Sequence, residues 1–163
     1  NAGVNPYYGS ITDIPDDAYE KTMKSNVQSD LWLAKAVMGD MIEKGEGSMM
    51  FTSSIGAFKP STSLGVYGMS KLALIGLIRN LAAELGPKGI RVNAICPGLI
   101  KTDFAKELWS NPAAKERAEN DIPLRRLGEA EDLAGLAVFL GSAASRYITG
   151  QAITVDGGSV MWT

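Results

Sequence analysis

Tyr67 and Lys71 stand four residues apart at the head of an apolar run, and Ser54 precedes the tyrosine by thirteen positions in FTSS. Residues four apart on a helix share a face, so a phenol and an ammonium at this spacing sit side by side. A neighbouring cation favours the phenolate, and the pair predicts a Tyr67 pKa pulled from about 10 towards neutrality. A shift of ~3 units corresponds to roughly 4 kcal/mol of differential stabilisation. A phenol tuned in this way passes a proton to or from a carbonyl or alcohol oxygen. Ser54, at the end of a predicted strand, is suited to donate a hydrogen bond to the same oxygen.

The elements that must position these groups are legible in the hydrophobic pattern. Residues 16–44 carry apolar side chains at helical spacing (Tyr19, Met23, Val27, Leu31, Ala34, Met38, Met41), and Gly45 ends the run. Residues 47–53 read as a short buried strand, and 64–85 as the helix that bears Tyr67 and Lys71. A Gly86-Pro87-Lys88-Gly89 turn leads to a strand, IRVNAIC, that stops at Pro97-Gly98. Helical pieces between 103 and 121 precede a helix from 129 to about 140, and QAITV is the last strand. Alternating strand and helix predicts an α/β fold with a parallel sheet, organised as one domain over residues 1–163.

With 163 residues and a net charge of −2, the chain has no electrostatic footprint for nucleic acid or an anionic membrane surface. No apolar run reaches the ~18 residues of a membrane span. There is no histidine and only one cysteine, Cys96, so neither a zinc site nor a Ser-His-Asp triad can be assembled, and no metal is expected. An unpaired cysteine in an apolar strand fits a reducing, cytoplasmic setting.

Ser54, Tyr67 and Lys71, with NAG at the start, KSNVQS on the first helix and PGLIKT after the second strand-like run, resemble the short-chain dehydrogenase/reductase family across nearly the whole chain. The resemblance implies that Tyr67 is the general acid/base, Lys71 its partner and a ribose ligand, and Ser54 the donor to the substrate oxygen. Asn26 would distort its helix and position a water in a proton relay. Asn1, Ala2 and Gly3 would lie on the adenosine-ribose side of a nicotinamide cofactor. Pro97, Gly98, Ile100 and Thr102 would form the wall against the nicotinamide and its carboxamide. The segment 104–124, with Trp109, would be the lid that sets substrate specificity. The family pairs the helices matching 16–44 and 64–85 with their copies, which implies a homodimer or homotetramer. Helix 64–85, apolar nearly all round, agrees with a second buried face.

Neither G-x-G-x-x-G nor G-x-x-x-G-x-G occurs among the eighteen glycines. The expected fold is therefore a partial Rossmann-like, doubly wound parallel sheet lacking its N-terminal strands and glycine-rich phosphate loop. The resemblance implies a hydride exchange between NAD or NADP, with NADP favoured, and a small carbonyl or secondary alcohol. NPYYG, PGLIKTDF, ELW and RRLGEAEDLAG look most like the carbonyl reductases related to peroxisomal retinal reductase, although SVMWT carries no peroxisomal tripeptide. A 3-oxoacyl-(acyl carrier protein) reductase is the enzymatic alternative. A catalytically silent oligomerisation or binding module, inactive without a cofactor half, is the alternative of another class.

Overall fold

The structure, a computed structural model, describes residues 3–161, apart from the side chains of Glu107 and Leu108. Three strands, β1 (Gly47–Thr52), β2 (Ile90–Pro97) and β3 (Ala152–Val155), form one parallel sheet in the order β1-β2-β3. Parallel neighbours need long crossovers. Helix α3 (Gly65–Leu85) supplies the first, and the second runs through α4 (Lys106–Ser110), α5 (Pro112–Asp121) and α6 (Glu131–Gly141).

The alternation of side chains along β1 sorts the layers. Met49 and Phe51 point into the core shared with Ala34, Leu74, Ile75, Ile78 and Leu85. Ser48 points the other way and donates to the Leu140 carbonyl at the end of α6. Helices therefore cover both faces of the sheet, as the expected doubly wound arrangement requires. Core-facing residues from two strands and two helices fall out of contact with water together, which is what holds the strands in register.

Two glycines set where β1 and β2 begin. Gly45, which ends the helix before β1, and Gly89, which precedes β2, both take left-handed backbone angles (φ 70° and 79°). A Cβ on Gly89 would lie 2.0 Å from the Gly45 carbonyl oxygen, so only glycine lets the two turns meet. Gly47 then pairs with Ile90 and the register runs on to Thr52 opposite Ile95.

The first long helix differs from the uninterrupted one expected over 16–44. It comprises α1 (Asp16–Met23) and α2 (Ser29–Lys44), joined through a π-helical turn at Lys24–Gln28. Within that turn the Ser29 amide donates to the Lys24 carbonyl. A period-3.6 pattern does not register one widened turn, because the apolar residues on either side stay in phase with their own segments. Helix α3 also differs from its expectation. Leu74, Ile75, Ile78, Leu81, Ala82 and Leu85 are all buried within the described residues, so most of its apolar surface is already covered. Met69 and Leu72 remain exposed, a narrower second face than the pattern predicted.

Candidate active site

Strand β1 and helix α3 bring the predicted residues together at the C-terminal end of the sheet. Ser54 follows β1 and accepts the Gly56 amide at 3.1 Å, which caps a short 3-10 turn at Ile55–Ala57. Gly68 lets the first turn of α3 press against that turn, because a Cβ there would lie 2.6 Å from the Gly56 carbonyl oxygen. The close approach sets Tyr67 beside Ser54, since a Cβ on Gly56 would lie 3.4 Å from Ser54 Oγ and 3.6 Å from Tyr67 Cε1.

Two hydrogen bonds stitch β1 to α3 at Lys71. Lys71 Nζ donates to the Thr52 carbonyl at 2.9 Å, and Ser53 Oγ donates to the Lys71 carbonyl at 2.9 Å. The lysine is only 4% exposed. Its Nζ lies 5.8 Å from the centroid of the Tyr67 ring. Phe104 covers another side of that ring, with centroids 5.7 Å apart and planes tilted by 33°.

The electrostatics differ from the sequence expectation. Burial pushes the Tyr67 phenol above its ordinary value, with the Ser54 hydrogen bond opposing the shift. Burial likewise pulls Lys71 below the usual lysine range, and Asp30 opposes it. Burial is the largest influence on the phenol, because loss of water disfavours the phenolate more than the Ser54 hydroxyl favours it. In this form of the protein the tyrosine is therefore a reluctant acid.

Asn26 lies wholly buried in the π turn. It accepts the Val4 amide at 2.8 Å and donates to the Val4 carbonyl at 2.9 Å and to Ser70 Oγ at 3.0 Å. Ser70 Oγ in turn donates to the Tyr67 carbonyl at 2.7 Å. Asn26 thus ties the segment after Gly3 to the helix that carries Tyr67. Gly3 packs at the same place, since a Cβ there would sit 3.4 Å from Lys71 Nζ and 3.7 Å from Asn26 Oδ1. The predicted ligands Asn1 and Ala2 lie outside the described residues.

The other wall comes from the end of β2. Pro97 pairs with Val155, and the Gly98 amide donates to the Val155 carbonyl at 3.0 Å. Ile100 forms an isolated bridge to Gly128 through the Leu99 carbonyl and the Lys101 amide, which turns Ile100's own amide and carbonyl away from Gly128. The Thr102 hydroxyl lies 3.5 Å from the Ile100 carbonyl, and Trp109 Nε1 donates to the Thr102 carbonyl at 2.9 Å. That last bond ties α4 to the strand end. The segment 104–124 is helical in two pieces, as expected, and Asn111 caps α5 by accepting the Ala113 and Ala114 amides.

Sequence reasoning passed over Ser53, Ser70, Gly68 and Asp30. The available signal was a spacing: Thr22, Asn26 and Asp30 recur every four residues and are all buried, a polar column inside a helix.

A family profile described as enoyl-(acyl carrier protein) reductase matches residues 1–160. Dehydrogenase/reductase SDR family member 4 from Sus scrofa is 45% identical over 159 residues, 98% of this chain and 57% of that protein. The chain belongs to the short-chain dehydrogenase/reductase family. Human SDR family member 2, named mitochondrial, is 42% identical over 157 residues, 96% of this chain and 56% of its own length. The chain thus spans a little over half of these family members. Among solved structures of the family's fold, a gluconate 5-dehydrogenase from Burkholderia cenocepacia in complex with NADP and tartrate superposes with a TM-score of 0.93 at 28% identity, covering 98% of this chain and 62% of that one. A 7α-hydroxysteroid dehydrogenase complexed with NADH and 7-oxo glycochenodeoxycholic acid gives 0.91 at 36%, with coverage of 98% and 62%.

Proposed function

We propose that this chain carries the catalytic half of an oxidoreductase that exchanges a hydride between NAD or NADP and a small carbonyl or secondary alcohol. The observation that carries the reading is the convergence of Ser54, Tyr67 and Lys71 at one end of the sheet, where ligands of open α/β sheets bind. Ser54 donates to the substrate oxygen, Tyr67 exchanges its proton, and Lys71 stabilises the phenolate that remains. Asn26 holds the helix that bears both.

The residues fit one end of a dinucleotide. Gly3 leaves a close approach beside Lys71 Nζ, and the end of β2 offers the Ile100 backbone and the Thr102 hydroxyl to a carboxamide. Asn5, next to Val4, keeps a buried amide nitrogen without a hydrogen-bond partner among the described residues. The described residues include no glycine-rich turn for a pyrophosphate. When bound, the nicotinamide supplies or accepts the hydride; the protein's own residues handle the proton. The complexes of neighbouring structures with NADP and NADH support either cofactor.

The identity to SDR family member 4, a dehydrogenase/reductase by name, supports the oxidoreductase reading. For a 3-oxoacyl-(acyl carrier protein) reductase, an acidic carrier needs unopposed cations near the site. Lys101 is paired with Glu129 and Arg126 with Asp132, whereas Lys106 and Arg125 carry no ion pair among the described residues, so charge does not separate the two readings. Among the described residues no helix is long and apolar enough to cross a membrane. The buried, unpaired Cys96 supports a reducing compartment such as the cytoplasm.

The test is turnover of small ketones by the full natural polypeptide with NADPH or NADH. Tyr67→Phe is expected to lower turnover by about 10²–10⁴-fold with the fold intact. Retention of most activity would overturn the mechanism, and an inactive parent would favour a silent binding module.

A further inference from the structure

We infer that Asp30 is a positioning residue for this site, a buried counter-charge that keeps Lys71 protonated. The inference rests on reading Lys71 as the cation that serves Tyr67. Thr22, Asn26 and Asp30 form one buried polar column along α1, the π turn and α2, at 1%, 0% and 6% exposure. Facing that column on α3 are Ser70 and Lys71, both buried. The contact is direct at its centre, where Asn26 donates to Ser70. One step further along, Asp30 shares a cleft of about 220 Å³ with Thr52, the residue whose carbonyl holds Lys71 Nζ. Asp30 and Lys71 are thus the charged members of one buried seam.

A carboxylate is an expensive group to bury, and this one sits where Leu33, Ala34 and Phe51 line the same cleft. An apolar residue would fit those neighbours better if packing were the only requirement. Burial raises the Asp30 carboxyl above its ordinary range and Lys71 counteracts it; the reverse relation holds for the lysine. The other titratable groups facing Lys71 are Cys96 from β2 and Tyr67 on its own helix. The thiol, held neutral, supplies no charge at physiological pH. Asp30 is the anion that can offset the desolvation of the ammonium, and a neutral Lys71 could not stabilise a Tyr67 phenolate.

The experiment titrates Lys71 directly in the full natural polypeptide, by NMR of ¹³Cε-labelled lysine with the resonance assigned from its loss in Lys71→Arg. Asp30→Asn is expected to lower the Lys71 midpoint by about one pH unit, and Asp30→Glu to restore it. Asp40→Asn, an exposed acid on the same helix, should leave it in place. An unchanged midpoint in Asp30→Asn overturns the inference, as does an equal fall in the Asn and Glu variants, which would mark a packing effect. Should Asp30→Asn fail to fold, the wild-type resonance still decides. An acid-range inflection as Asp30 ionises supports the coupling, and a flat line overturns it. These readouts need no turnover, so they stand or fall separately from the activity of Tyr67→Phe.

Discussion

Cys96 lies in the middle layer of the site, wholly buried on β2 beneath Ser53 and Ser54. Burial pushes its thiol up to about 11, against hydrogen bonds from Ser53 and Ser54 that pull the other way. A folded-state value above the ordinary 9.0 means that the folded protein holds this proton more tightly than the unfolded chain. Its contribution to stability is therefore complete below pH ~9 and is lost as the pH rises towards ~11. Denaturant midpoints measured across that window should fall more steeply for wild type than for Cys96→Ala. Thiol reagents at pH 8 should label the unfolded chain and spare the native one. Equal slopes, or rapid native labelling, would show that the thiol is not sealed.

At the scale of elements, the decisive feature is the π turn between α1 and α2. A turn wider than the α-helix costs regular hydrogen bonding, and it persists here because Asn26 makes three bonds from within it. Asn26→Ala leaves the Val4 amide, the Val4 carbonyl and Ser70 without that partner. The expected loss is about 1–3 kcal/mol, read from chemical denaturation. A change within about 0.5 kcal/mol would mean that the turn is held by packing alone. The turn also marks the boundary of what sequence could tell. Strand and helix identities, their parallel alternation and the Ser54, Tyr67 and Lys71 set were legible, because each rests on local spacing or on a motif. The direction of the Tyr67 shift was not. It depends on how far Nζ stands from the ring and on how much water reaches the pair, and neither is a property of spacing. Asp30 escaped for a related reason: a lone acid in a helix is ordinarily solvated, and only the fold shows this one turned inward.

For the whole molecule, the sheet poses the question of assembly. Strand β1 is an edge strand, bonded to β2 alone among the described residues. Trp32, Leu33 and Val37 on α2 and Leu72 on α3 are each between two-fifths and three-fifths exposed. At about 25 cal/mol per Å², covering several hundred Å² of such surface is worth several kcal/mol, comparable to a domain's net stability. We propose that this chain associates with copies of itself through α2 and α3. Light scattering at micromolar concentration should then give two or four times the mass of one chain. A cooperatively unfolding species of 17.3 kDa would refute it.

The paired bonds between β1 and α3 have a kinetic consequence. Lys71 Nζ is engaged with Thr52 while Ser53 grips the backbone of the same lysine. An acylating reagent needs a free, solvated lone pair, and Lys71 offers none while the seam is closed. Its modification must wait for a local opening of the seam or of the segment at Gly3, so its rate equals the intrinsic rate multiplied by the fraction of time spent open. The exposed lysines acylate on the chemical timescale, whereas Lys71 runs on the timescale of the fold. The residue proposed to set the proton chemistry is thus also a clock for how often the site comes apart.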